Sequence, residues 1–278
     1  MKKLFDGVCT ALVTPFKDNG KNIDWKSFGR LINFQIENGV NALLVLGTTG
    51  ESCTISDAER AAIVTFAVSV IDKRVPLIIG VGGNDPKKVI ENTLFAKDSG
   101  VDAVLVSAPY YNKTTQDGLV KYFDTIARAT KFPIIAYNVP GRVGMNIEPQ
   151  TFARICRNKH IVGIKESSGN LEQIQRVVQL CSNVAVYCGD DSMSLGSYAV
   201  GTVGVVSVAS NIMPLEVGDI YKLYRAGKMW RARRLFFSQL DFYKDLFVQV
   251  NPIPVKYYLS EKGLCRNEVR LPLLAMEV

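Results

Sequence analysis

At 278 residues with 47% hydrophobic side chains, the chain can bury one large α/β core or two modest ones. Its 33 basic against 26 acidic residues leave a formal charge of +7, which suits an acidic small molecule, an anionic membrane surface or a nucleic acid. No apolar run spans a bilayer, Met1-Lys2-Lys3 leads to Asp6 and Gly7 instead of a signal-peptide core, and six cysteines without a C-x-x-C pair accompany a single histidine, His160. A membrane span, a secretory leader, a disulfide framework and a structural metal are thereby disfavoured, and a cytoplasmic protein is expected.

One unit then recurs in form, though not in letters: a short apolar run, a polar loop, a helical pattern. The first run covers residues 8–13. The second, 42–46, leads into Gly47-Thr48-Thr49-Gly50-Glu51-Ser52, which lacks the Gly-Lys-Ser/Thr ending of a P-loop but allows a tight turn whose amides can face a small anion. Ser56-Asp57-Ala58-Glu59 is a capping box that opens a helix with its apolar residues over 61–71. The third run, 76–81, enters Gly80-Val81-Gly82-Gly83-Asn84. Asp85 stands where the third glycine of G-x-G-x-x-G belongs, so a dinucleotide site is disfavoured. Runs four and five, 103–106 and 133–137, end in Pro109-Tyr110-Tyr111-Asn112 and in Tyr137-Asn138-Val139-Pro140-Gly141-Arg142, a rigid turn that presents an arginine.

The sixth run, 161–165, goes straight from apolar and small residues into Lys165 and then the polar Glu166-Ser167. Such a run reads as a strand buried on both faces, with an amine at the lip of a dry interior. Desolvation disfavours a charged amine, and a neutral one carries a lone pair that can attack a carbonyl. The plainer alternative is a lysine that reaches solvent or pairs with Glu166. Asn170 then starts a helix with Leu171, Ile174, Val177, Val178 and Cys181 on one face. The seventh run, 184–188, ends at Gly189-Asp190-Asp191, whose acids read as a helix N-cap in preference to a metal pair. The eighth is 203–208.

Strict strand–helix alternation calls for parallel strands, and eight of them predict a (β/α)8 TIM barrel over residues 1–212, with an open doubly wound sheet as the alternative. From 213 to 278 the pattern is helical only, over 215–225, 228–247 and 254–261, with no Pro- or Ser-rich linker. A C-terminal helical extension packed on the barrel is expected. Lys222, Arg225, Lys228, Arg231, Arg233 and Arg234, interleaved with Trp230, Phe236 and Phe237, read as the solvated face of an amphipathic helix. Neither nucleic acid nor membrane is an expected partner.

In such a barrel the loops after the strands share one face, so their hydroxyls, amides, one lysine and one arginine converge. The inventory fits an anionic carbonyl substrate: amides and hydroxyls for a carboxylate, lysine for the carbonyl carbon, a phenol to move protons, arginine for a second carboxylate.

Gly47-Thr48-Thr49-Gly50-Glu51, Tyr137-Asn138-Val139-Pro140-Gly141-Arg142 and Gly163-Ile164-Lys165-Glu166 resemble, in order and spacing, the pyruvate-dependent class I aldolase / N-acetylneuraminate lyase family, from Gly7 to Asn251-Pro252-Ile253-Pro254-Val255-Lys256. The resemblance is to the branch that condenses pyruvate with L-aspartate 4-semialdehyde in lysine and diaminopimelate biosynthesis. It implies that Lys165 forms a Schiff base with pyruvate and that Tyr137 shuttles protons with Thr48 and Tyr111. It also implies that Thr48 and Thr49 hold the pyruvate carboxylate, that Gly189 and Val206 contribute backbone to the pocket, and that Arg142 grips the semialdehyde carboxylate. No metal or organic cofactor is implied. A homo-oligomer, dimer or tetramer, is implied, because in this family the tyrosine loop crosses a dimer seam. The family usually continues through a further helix after the Arg-Leu-Pro seen here as Arg270-Leu271-Pro272, whereas this sequence ends at Val278. Where its feedback-regulated members bind lysine, this chain has Asp57, Arg60 and Lys88, so weak or no inhibition by lysine is expected.

Two rivals remain at this level. A sister lyase acting on a keto-deoxy sugar acid or N-acetylneuraminate would use the same lysine, but a neutral polyol tail has no use for Arg142. A non-catalytic anion- or nucleic-acid-binding barrel would not require Lys165 and Tyr137 together.

Overall fold

Residues 3–277 are described by a computed structural model, so Met1 and Lys2 of the N-terminal stretch and Val278 lie outside the described residues. Each apolar run becomes a strand with a helix after it: β1 (Gly7–Ala11), a small ribbon of β2 (Phe16–Lys17) and β3 (Asn22–Ile23), α1 (Trp25–Glu37), β4 (Ala42–Val45), α2 (Asp57–Ile71), β5 (Leu77–Gly80), α3 (Pro86–Asp98), β6 (Ala103–Ser107) and α4 (Gln116–Thr130). The chain continues through β7 (Ile134–Asn138), α5 (Pro140–Val143), α6 (Pro149–Ile155), β8 (Ile161–Glu166), α7 (Leu171–Leu180), β9 (Ala185–Cys188), α8 (Ser194–Ala199) and β10 (Gly204–Ser207). It ends in α9 (Pro214–Arg225), α10 (Met229–Asp245) and α11 (Ile253–Glu261).

Apart from β2 and β3, the strands among the described residues close a TIM barrel in the order β1-β10-β9-β8-β7-β6-β5-β4. This is the expected closed sheet and not the open one. The ribbon was not legible, since two residues per strand give no periodicity to read. Among the described residues no helix is long and apolar enough to cross a membrane.

The chain divides into two compact units, one of Ile78–Val206 with the residues up to Asp6, the other of Gly7–Leu77 with the residues from Ser207 onward. In the first, β6 to β9 pair in parallel through Val104↔Ile134, Tyr137↔Lys165, Asn138↔Glu166 and Lys165↔Tyr187, with a register shift between Ile134 and Ile135. The Asn170 side chain accepts from the Gln173 N–H at the start of α7, whose Ile174 and Val177 are buried, as the sequence periodicity indicated.

In the second unit, β1 pairs with β4 through Cys9↔Ala42 and Ala11↔Leu44. The capping box forms at α2: Ser56 Oγ accepts from the Glu59 N–H and Glu59 Oε2 from the Ser56 N–H, at 3.3 and 3.0 Å. Buried amides lock the turn Ala209–Asn211 onto β1, with Asn211 Nδ2 donating to the Ala11 carbonyl at 2.8 Å and Gln35 Nε2 to the Asn211 carbonyl at 3.1 Å. The three C-terminal helices fall where the sequence placed them. On α10 the arginines and the aromatic Trp230 and Phe237 face solvent while Phe236 is buried, and Arg234 lies over the Trp230 ring at 5.7 Å.

Candidate active site

Period-two alternation along β8 sends consecutive residues to opposite faces, and this separates Lys165 from Glu166. Lys165 is 5% exposed, and its Nζ lies 4.5 Å from the centroid of the Tyr137 ring, its register partner on β7. Glu166 is fully buried and engaged elsewhere. Its carboxylate accepts from Asn138 Nδ2 at 2.9 and 3.1 Å, from the Ser168 N–H at 2.8 Å and from Gln173 Nε2 at 3.1 Å. Burial pushes its carboxyl up, against the lowering by those hydrogen bonds. The pairing of Lys165 with Glu166 considered from sequence is thus replaced by a scaffold role for the glutamate.

That scaffold fixes the arginine turn. Asn138 Nδ2 also donates to Asn146 Oδ1 at 2.8 Å, Asn138 Oδ1 accepts from the Ile147 N–H at 2.9 Å, and Asn146 Nδ2 donates to Gln173 Oε1 at 2.8 Å. Both ends of the segment carrying Arg142 are held this way, while Arg142 itself, on the one-turn helix α5, is exposed. Asn146 and Gln173 were not singled out from sequence, and Glu166 only as a possible partner of Lys165. Their only signal was a carboxylate one residue past the lysine, where alternation demands the opposite face.

Gly189 follows β9 and donates its N–H to the Glu166 carbonyl at 2.8 Å. A Cβ here would come within 1.7 Å of Ser167 Oγ and 2.9 Å of Lys165 Cε, so only glycine leaves room for the lysine stem. Asp190 takes the N-cap position of the 3-10 turn Asp191–Met193, as the sequence suggested, with Asp191 in the first turn, but its side chain makes no cap hydrogen bond. Its carboxylate instead takes a backbone hydrogen bond from Gly169, and its carboxyl is pushed up to about 6, mainly by desolvation and against the lowering by Lys165. Val206 is buried on β10. Tyr111 is 91% exposed, with φ of +68°.

In the other unit, Gly47-Thr48-Thr49-Gly50 forms the expected tight turn, with the Gly50 N–H on the Gly47 carbonyl at 3.1 Å and the Glu51 N–H on the Thr48 carbonyl at 3.0 Å. Thr49 is buried, and its Oγ1 accepts from Asn251 Nδ2 at 3.0 Å; Thr48 is half-buried. Glu51 leaves the turn in the left-handed region and buries its carboxylate against Lys256 Nζ at 2.5 Å. Glu51 Oε2 accepts from the Arg270 N–H at 2.9 Å, and Lys256 Nζ also donates to the Glu268 carbonyl at 2.8 Å and stands 4.0 Å above the Phe16 ring. Burial lowers the proton affinity of the Lys256 amine and Glu51 opposes that. Among the described residues, no group of three or more His, Cys, Asp or Glu side chains is gathered as a metal site would require.

A sequence profile of the Dihydrodipicolinate synthetase family matches residues 4–278. The 4-hydroxy-tetrahydrodipicolinate synthase of Citrifermentans bemidjiense is 44% identical over 271 residues, 97% of this chain and 93% of that protein. Among solved structures, the dihydrodipicolinate synthase of Thermotoga maritima superposes with a TM-score of 0.96 at 41% identity, covering 99% of this chain and 94% of that one. The chloride-inhibited dihydrodipicolinate synthase of Acinetobacter baumannii, complexed with pyruvate, does so with a TM-score of 0.94 at 38% identity, covering 98% and 94%. The match runs through the lysine strand, the threonine turn and the C-terminal helices alike, and the chain belongs to the dihydrodipicolinate synthetase family.

Proposed function

We propose that this chain condenses pyruvate with L-aspartate 4-semialdehyde to 4-hydroxy-tetrahydrodipicolinate, as a lyase of the class I aldolase type. The observation that carries the reading is a buried lysine one residue before the end of β8, with a tyrosine ring 4.5 Å from its Nζ, in a chain of this family. The Lys165 amine attacks C2 of pyruvate, and loss of water leaves an imine. Removal of a methyl proton gives an enamine, whose carbon adds to the aldehyde. The substrate amine then displaces Lys165 and closes the ring. We assign the proton shuttle to Tyr137 with Thr48 and Tyr111, the pyruvate carboxylate to Thr48 and Thr49 with backbone from Gly189 and Val206, and the semialdehyde carboxylate to Arg142. The reaction takes place in the cytoplasm in this reading. The deciding assay follows product formation from pyruvate plus the semialdehyde beside a panel of sugar acids; faster turnover of a sugar acid would favour a sister lyase.

Arg142 separates the two. A guanidinium can grip a carboxylate through two parallel charge-assisted hydrogen bonds, together about 1.5 to 3 kcal/mol. Arg142→Ala is therefore expected to lower kcat/KM for the semialdehyde roughly ten- to hundredfold, at about 1.4 kcal/mol per decade, while imine formation with pyruvate survives. Unchanged semialdehyde kinetics would remove the basis for preferring the synthase.

The same reading includes assembly. A tyrosine almost fully exposed, in the left-handed region and next to a part-exposed Tyr110, is suited to reach across a two-fold seam and complete a neighbour's proton path. We assign the chain to a homodimer or a tetramer of such dimers. Sedimentation at assay concentration should show at least a dimer, and a fully active monomer would contradict the assignment.

A further inference from the structure

We propose that Asp190 receives the α-ammonium of the second substrate and takes its proton when that amine displaces Lys165. The inference rests on the reading above and goes further, by assigning a residue to recognition of the amine. Two buried oxygens among the described residues lack a hydrogen-bond partner where Lys165 emerges: Ser167 Oγ and Asp190 Oδ2. Both belong to the lysine's surroundings. Ser167 Oγ and Lys165 Cε occupy the space that a Gly189 side chain would need, and Asp190 is the next residue. An unpartnered carboxylate oxygen out of water is costly to maintain, which is reasonable where a ligand supplies the missing donor. It is also unusual chemistry to aim at a cap-free turn, since Asp190 has the sequence position of an N-cap and does not use it.

The reaction needs such a group. Aspartate semialdehyde carries an ammonium, which has no lone pair and cannot attack the imine carbon. Asp190 takes one proton, the freed amine adds to the imine carbon, and a second proton passes from the substrate nitrogen to the lysine nitrogen. The bond from carbon to the lysine nitrogen then breaks as the substrate's own carbon–nitrogen double bond forms, and Asp190 returns its proton to the Lys165 amine. Protons and charge balance without a further reactant. A carboxylate held near 6 is better matched to an amine than one at its ordinary value. The charged groups acting on it are Lys165 and Glu166 from β8 and Asp191 of its own turn.

The test is Asp190→Asn in the full chain, with Asp190→Glu beside it. Imine trapping by borohydride with pyruvate alone should match the parent. For aspartate semialdehyde, kcat/KM should fall about 10- to 150-fold, the loss of one charge-assisted hydrogen bond or more. Inhibition by succinate semialdehyde, which keeps the aldehyde and carboxylate but has no ammonium, should change about threefold or less. The parent's kcat/KM should rise with pH through about 6 as Asp190 ionises, and the Asn variant should lose that limb while the Glu variant retains it. Equal losses for both aldehydes, loss of imine trapping, or unchanged semialdehyde kinetics would each overturn the assignment. A parent that does not turn over the semialdehyde at all would instead refute the proposed reaction.

Discussion

Replacing Lys165 with alanine is expected to lower kcat on the order of 10⁴-fold or more, because the covalent route disappears with the amine and no other group near it can supply an imine. The geometry leaves little room for substitution of function. Glu166 is tied to Asn138, Ser168 and Gln173, and the Tyr137 ring offers its face at 4.5 Å but no nucleophilic nitrogen. Borohydride added with pyruvate should leave a stable adduct on the peptide that carries Lys165, and none in the variant. Removing a buried amine should not lower the melting temperature, which separates a chemical loss from a folding loss. Activity surviving Lys165→Ala, with no adduct on the parent, would eliminate the Schiff-base route.

The second large effect lies far from the lysine in sequence and acts on stability. Glu51 and Lys256 are both shielded from water, with side-chain exposures of 2% and 0%. Lys256→Met keeps the length of the side chain but strips the carboxylate of its closest counter-charge, leaving the Arg270 N–H at 2.9 Å as its remaining described hydrogen bond and the Arg270 guanidinium as a more distant positive charge. Breaking a buried pair by removing one partner costs about 3 to 5 kcal/mol, roughly 10 °C or more of melting temperature for a chain of this size. Because Glu51 closes the turn that holds Thr48 and Thr49, to which we assign the pyruvate carboxylate, KM for pyruvate should rise as well. The double variant Glu51→Gln, Lys256→Met should recover much of the stability, since no uncompensated charge remains buried. A melting temperature within about 2 °C of the parent for Lys256→Met would show that the pair contributes nothing net.

Much of the barrel was legible because its signals are local. Apolar runs alternating with helical periodicity need only a few neighbouring residues to be read, and the capping box at Ser56 and the cap at Asn170 form as their spacing indicates. Lys165, Tyr137 and the arginine turn were likewise visible as strand ends. What stayed hidden was settled by distance in sequence or by burial. Glu51 and Lys256 are 205 positions apart, and neither residue announces the other. Asn146 and Gln173 look like ordinary surface polar residues until Glu166 is buried between their elements. Asp190 holds the cap position that the following turn suggested, but nothing local in the sequence announces that one oxygen of its carboxylate is buried without a hydrogen-bond partner.

The separation of Glu51 from Lys256 also has a meaning in time. A ribosome extends a chain at about 5 to 20 residues per second, so the acid is made roughly 10 to 40 s before the base that neutralises it. Throughout that interval the nascent threonine turn lacks both its counter-ion and the Asn251 amide that meets Thr49. Half-made chains therefore carry the strand that bears Lys165 while the threonine turn is still without the partners that fix it, and that turn is completed only once residues 251 to 256 have been made.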